Sequence, residues 1–545
     1  MSKLTRMGFG AIQVNVGWGS RPGGEPLNLE DVIDGAAERG IHRDKLRLNS
    51  DPSKLTARQE ALAYRSELAH RHGLRTIFNV GIPYNRHGMF GDAPPNCIME
   101  QGVRDEYLEL LEAFAQRFAV DDLWVYTYDQ DAWLCSEFGE CPRCAGVPLH
   151  TRVAEFLDAL VEGWSSVRPE GRIWWEPWEL SGGQTLAAIE LLEASNFGLA
   201  LHNNSAEAMV AFAGDRQVKN LARLAASRGI PVIIEGFLGS ASEEVEPFEH
   251  VHAPLAVYRE VVAMTSIEGV VGVKEYYGLD LSHPDPNLEA AVLAVNEPGL
   301  SETEVLNRLS ADYGDVSTRA SVALMWKLAS EAIETYPWDA SWFVREVGRS
   351  NPAHSLNAAA IRGFCANTPA WRSTRGSTFM VTDDIEPHPW LLEDLQLRWA
   401  RCASVQGQAI QAGTAALPGL SGDERREIEL ALEDLREFRR RALAYAFHCR
   451  ESNLASLLRS GVLDEAKRVS IAEELMNVLK EDAVNSGEPA HYEAAISALE
   501  LDLVRFLDTY FLPAPARDGI VAWEGAEFTQ RGFDRPLGPF SATSR

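Results

Sequence analysis

The chain reads as an α/β protein: a (β/α)8 TIM barrel over residues 1–282, then an all-α helical domain over 300–512 and an extended tail, 513–545, packed on the body. Three observations predict this. Short apolar, β-rich segments alternate with amphipathic helical ones up to residue 280, which implies a parallel sheet. The strand segments number eight, and eight βα units in about 250 residues close a barrel. Beyond residue 300 the pattern is helical, with apolar residues spaced at the helical period. At 545 residues the chain is also too long for one ordinary core.

The strand segments are Gly8–Val16, Lys45–Asn49, Arg75–Val80, Leu123–Asp129, Arg172–Trp178, Phe197–His202, Pro231–Glu235 and Val270–Glu275. Helical stretches separate them at Leu29–Arg39, Ala57–His72, Asp105–Phe118, Thr151–Val167, Val218–Gly229 and Leu255–Met264. No Gly-rich dinucleotide fingerprint follows the first strand, which weighs against a doubly wound open sheet. Turn-rich Leu281–Asn287 and Asn296–Ser301 mark the exit from the barrel. Helical segments follow at Ser301–Tyr313, Ser317–Tyr336, Trp338–Val347, Pro389–Ala412, Gly422–Cys449, Val462–Asp482 and Ala490–Phe511. Such a bundle can wall a cleft, add stability or carry a homo-oligomer contact. A loop between helices holds Trp371, Arg372 and Arg375, a set suited to an acidic sugar or to a plain interdomain contact.

Composition narrows the function. A net charge of −28 argues against nucleic acid or an anionic membrane surface as partner. No run of about 18 apolar residues is present, so no membrane span is expected. Seven cysteines, four of them between 97 and 144, do not form a secreted disulfide framework, and no signal segment opens the chain. A cytoplasmic location is the expectation.

A parallel barrel carries its chemistry at the carboxyl ends of its strands. Polar residues collect there: Gln13 and Asn15, Asn49, Asn79, Asp129 and Asp131, Glu176 and Glu179, His202 with Asn203 and Asn204, Glu235, and Lys274 with Glu275 and Tyr276. Aromatic rings sit beside them, including Trp18, Tyr128, Trp133, Trp174 and Trp175. Sugars stack an apolar C–H face on aromatic rings while their hydroxyls seek Asn, Asp, Glu and His, so carbohydrate is the expected substrate. The candidate sugar-binding residues are Asn15, Trp18, Asn49, Tyr128, Trp133, Trp175, Glu179, His202, Asn203, Lys274, Glu275 and Tyr276. The alternative for the rings is packing inside the barrel or beneath its helices.

Cys97 lies after the third strand, and Cys135, Cys141 and Cys144 follow the fourth with the spacing C-x5-C-x2-C. Adjacent barrel loops bring four thiolates within reach of one structural zinc ion, with His150 a substitute ligand. Unligated thiols or a redox Cys-x-x-Cys are the alternatives. No organic cofactor is expected.

An acid pair at the end of the fourth strand, a cysteine before it and a cysteine group after it resemble the zinc-bearing β-galactosidase family of retaining glycoside hydrolases. Tyr128 through Cys144, with Arg172-Ile-Trp-Trp-Glu, also resembles bacterial α-glucuronidase-like barrels. Where the galactosidase pattern has Asn-Glu, this chain has Asp129-Gln130-Asp131. The resemblance implies glycosidase activity, with the acid/base on the fourth strand, Asp131 or Asp129, and the nucleophile on the seventh, Glu235. Glycoside hydrolysis needs such a carboxyl pair, and Glu176 and Glu179 are reserves. Structural readings compete: Asp129 as a turn cap, and Glu235 paired with Lys274 or Arg47. Two other functions stay open, a Schiff-base lyase or aldolase built on Lys274 and a catalytically silent carbohydrate-binding barrel.

Overall fold

The structure, a computed structural model, describes residues 1–15, 29–34, 52–81, 97–126, 137–138, 140–177, 180–202, 216–240, 250–275, 278–337, 389–459, 463–487, 489–502, 516–517 and 520–521. The chain divides into two compact units. The first comprises Met1–Glu243 with His252–Ala311; the second comprises Glu244–Val251 with Asp312–Arg545.

The first unit contains a short helix α1 (Ser2–Arg6) and then alternating strands and helices. These are β1 (Ala11–Gln13), α2 (Leu55–Arg71), β2 (Arg75–Gly81), α3 (Gln101–Arg117), β3 (Asp122–Tyr126), α4 (Leu149–Val167), β4 (Ile173–Glu176), α5 (Gly182–Leu191), β5 (Phe197–His202), α6 (Arg216–Ser227), β6 (Val232–Gly236), α7 (Pro254–Thr265) and β7 (Val270–Glu275). Helices α8 (Pro286–Asn296) and α9 (Glu302–Leu309) complete the unit.

Every neighbouring strand pair is parallel, and the order is β1-β2-β3-β4-β5-β6-β7. A doubly wound sheet reverses its strand order at a switch point. This sheet never does, so it is the curled sheet of an α/β barrel. Among the described residues it has seven strands, not eight. Strand β1 pairs directly with β2, Ala11 opposite Arg75, so no strand stands between them. The strand expected at Lys45–Asn49 lies outside the described residues.

The helices form because their apolar residues recur at one face. In α4, Val153, Phe156, Leu157, Leu160, Val161 and Trp164 are all buried, the i, i+3, i+4 stripe of a helix lying on a sheet. Helix α5 begins with a capping box in which Ser181 accepts from the Gln184 amide and Gln184 answers the Ser181 amide.

The second unit is helical: α10 (Val316–Thr335), α11 (Pro389–Ala416), α12 (Gly422–Arg459), α13 (Glu465–Ser486) and α14 (Ala490–Leu501). Tyr336 and Trp399 meet edge-on at 4.5 Å, and Trp399 lies 4.9 Å from Tyr445. A second cluster joins Leu454, Leu475, Leu479 and Tyr492. A short antiparallel pair, β8 (Ala516–Arg517) and β9 (Ile520–Val521), follows. The segment Trp338–Val347 and the Trp371–Arg375 loop lie outside the described residues. No described helix is long and apolar enough to cross a membrane.

Candidate active site

Side chains two residues apart on a strand share a face, and this rule builds the site. Ile77, Trp124, Trp174 and Ala200, with Ala11 and Ile233 packed against them, form one apolar cluster drawn from six consecutive strands and no helix. It is the floor of the barrel interior. Two residues further along those strands, toward their carboxyl ends, stand Gln13, Asn79, Tyr126, Glu176 and Glu235. An apolar floor therefore carries a polar layer.

Lys274 of β7 joins that layer. Its ammonium donates to Glu235 Oε1 at 2.5 Å and sits 4.6 Å from the centre of the Trp124 ring. The Trp124 indole in turn donates from Nε1 to Glu176 Oε2 at 2.6 Å. Glu235 is 1% exposed, Glu176 5% and Lys274 17%. One buried carboxylate thus meets the ammonium directly, and the other is linked to it through one indole. In the strand register, Glu235 lies between His202 of β5 and Lys274. The side-chain amide oxygen of Asn79, buried in the same layer, has no hydrogen-bond partner among the described residues.

The turn behind Glu235 is tied by hydrogen bonds to two acids. Glu275 accepts from the amides of Leu238 at 2.5 Å, Gly239 at 3.2 Å and Gly278 at 3.3 Å. Asp285 caps α8 and also accepts from the Ser240 amide and hydroxyl at 2.9 and 2.8 Å. The turn after β6 is therefore held by acids at the end of β7 and beyond it.

The polar layer contains Glu235, Glu176 and Lys274 of the expected site residues. Three others are placed elsewhere. Trp175 is fully buried on the opposite strand face, its ring 6.2 Å from Phe197, so it packs the barrel wall rather than lining the mouth. Glu275 spends its carboxylate on backbone amides. Asn15 exchanges two hydrogen bonds with the backbone of Asn79, at 2.7 and 2.8 Å, and so extends the β1–β2 ladder. Trp18, Asn49, Tyr128, Asp129, Asp131, Trp133, Glu179, Asn203 and Tyr276 lie outside the described residues. Trp124 was not expected. Its position two residues before Tyr126, on the same strand face, is the signal that marks it.

A separate cluster lies in the connections after β2 and β3. Cys97 Sγ is 3.4 Å from Cys144 Sγ and 3.9 Å from Cys141 Sγ, and the three sulfurs lie within 4.8 Å of one another. Four sulfurs at 2.3 Å from a tetrahedral zinc stand about 3.8 Å apart, so this spacing fits the ion. His150 is not part of the group, and Cys135 lies outside the described residues.

No protein-family model matches the chain. No curated protein matches it either. Among solved structures it is similar to a GH138 enzyme targeting pectin rhamnogalacturonan II, with a TM-score of 0.56 and 11% identity, over 90% of this chain and 62% of that one. The chain therefore spans less than two thirds of that enzyme's length. Fainter likenesses are to an O-GlcNAc hydrolase of Thermobaculum terrenum (TM-score 0.37, 12% identity, 95% and 99% covered) and to an endo-beta-mannanase/endo-beta-glucanase of Prevotella bryantii (0.35, 14%, 54% and 43%). The first of these shows the fold, an α/β barrel followed by a helical region.

Proposed function

We propose that the chain is a glycoside hydrolase whose barrel mouth cleaves a glycosidic bond with a carboxyl pair. The observation that carries this reading is the buried carboxylate of Glu235, set beside Glu176 in a polar layer on an apolar floor at the carboxyl ends of parallel strands. The fold shared with a GH138 enzyme supports it, as does the resemblance of the Tyr128–Cys144 segment to bacterial α-glucuronidase-like barrels. A plant cell-wall polysaccharide of the kind that enzyme targets is a natural first substrate to try.

In this reading Glu235 is the nucleophile of a retaining reaction. It attacks the anomeric carbon while Asp131, or its neighbour Asp129, protonates the leaving oxygen and later activates water. Glu176 is the alternative acid. The ion pair at Lys274 favours this over a Schiff-base lyase, because its amine is engaged with the Glu235 carboxylate at 2.5 Å instead of being presented to a carbonyl. Cys97, Cys141 and Cys144, with Cys135 as fourth ligand, hold a structural zinc ion. A closed four-sulfur site leaves no coordination position for substrate and serves to fix the loops.

The test is hydrolysis of nitrophenyl glycosides, uronides included, and of pectic oligosaccharides by wild type, Asp131→Asn and Glu235→Gln. Turnover by wild type that falls by orders of magnitude in both variants is the expected result. Turnover untouched by Glu235→Gln, or absent from every substrate while sugars still bind, overturns the reading.

A further inference from the structure

We infer that Lys274 is a positioning residue that keeps Glu235 ionised and aimed into the barrel mouth, with Trp124 as its seat. The inference rests on Glu235 being the nucleophile. Three contacts carry it. Lys274 Nζ lies 2.5 Å from Glu235 Oε1 and 4.6 Å from the Trp124 ring centre, and the ring is itself fixed by its 2.6 Å hydrogen bond to Glu176. The lysine stem therefore cannot swing its charge away without leaving both the ring and the carboxylate.

Burial supplies the reason for the arrangement. A carboxylate with 1% exposure loses its water shell, and on its own it would take up a proton. A protonated Glu235 cannot attack an anomeric carbon. The ammonium reverses that preference by favouring the charged form. The described titratable groups facing or flanking Glu235 are Lys274 on β7, His202 on β5 as its register partner, and Tyr126 and Glu176 in the same layer on β3 and β4. Lys274 is in ion-pair contact with Glu235. Glu176 accepts its hydrogen bond from the indole. The indole thus anchors the lysine on one side and occupies the second carboxylate on the other.

The experiment is a pH titration of the full chain by difference infrared spectroscopy, reading the C=O stretch of protonated carboxyl. The Glu235 band is assigned by its loss in Glu235→Gln. Lys274→Met is expected to raise the protonation midpoint of Glu235 by about 1–3 pH units, the range for a lost opposite charge. Lys274→Arg should keep the wild-type midpoint. Lys274→Gln preserves polar packing if the methionine variant fails to fold, and its midpoint should rise as well. A midpoint unmoved in Lys274→Gln or Lys274→Met overturns the inference, as does a rise in KM alone, which would make the lysine a substrate contact. Turnover of a nitrophenyl glycoside that survives Glu235→Gln while the midpoint still shifts sinks the nucleophile reading instead. The two failures are therefore told apart.

Discussion

Asp482 has no exposed surface and accepts a hydrogen bond from the Tyr492 hydroxyl at 2.8 Å. Burial pushes its carboxyl up to about 7, while hydrogen bonds from Tyr492 and Asn485 and the charge of Arg440 pull the other way. The folded value lies above the unfolded one of about 4. Below about 4 both states are protonated and the group is neutral to stability. Between there and 7 the unfolded chain ionises while the folded chain stays protonated, so stability falls as pH rises through that window. Above it the cost is constant, on the order of 4 kcal/mol. Asp482→Asn keeps an acceptor for Tyr492 and removes the titration. Its urea midpoint should exceed that of wild type at pH 8 and match it near pH 4; an equal change at both, or a loss at pH 8, would show that the carboxyl does not titrate in this way. No pattern of residue types marks Asp482 in the sequence, where it is one acid among many on a helical segment. Its meaning comes from helices that pack around it.

At the scale of the element, strand parity decides what the barrel can hold. Trp174 points inward, stacked on Trp124 with ring centres 6.5 Å apart and with the Arg172 guanidinium 5.3 Å from its own ring. Its bulk fits because the next strand offers Gly198, where an added Cβ would lie 2.3 Å from the Trp174 ring. Gly198→Ala should therefore cost about 1–3 kcal/mol, as overpacking of a filled core does. Trp174→Phe in the same chain should recover part of that loss, and a double-mutant cycle by urea denaturation reads the coupling. Gly198→Ala within about 0.5 kcal/mol of wild type, the scatter of ordinary surface changes, would mean the strands part to make room. The alternation of strand and helix was plain in the sequence because each element carries its own period. So was the set of polar strand ends that supplies Glu176, Glu235 and Lys274. Parity was harder to read. Trp174 and Trp175 look alike in sequence, yet one forms the floor and the other packs against Phe197, and only the register with Trp124 and Ile77 tells which. The direct pairing of β1 with β2 was beyond reach for a similar reason: strand neighbours are fixed by hydrogen bonds, not by order of appearance.

For the molecule as a whole, the proposed zinc site at the cysteine group would act as a staple. Cys97 precedes α3, and Cys141 and Cys144 precede α4, so the three thiols join two connections 44 and 47 residues apart in the chain. Along the chain they follow the adjacent strands β2 and β3, and β3 is the strand from which the chain runs into Asp129 and Asp131. A metal ion bound to the folded form alone stabilises it by mass action, by about 2.7 kcal/mol at a hundredfold excess over its dissociation constant. For a unit of about 300 residues that is a rise of roughly 4 °C in melting temperature. Protein purified without chelator should carry one zinc ion per chain, and removing it should lower the melting temperature by that amount. Cys144→Ser should melt near the chelated value and no longer respond to chelator. The same loss should loosen the loop after β3, so chelation should also cut glycoside turnover more through kcat than through KM, because the acid must meet the leaving oxygen in the transition state. Protein without zinc that melts the same with and without chelator would make the thiols plain core residues.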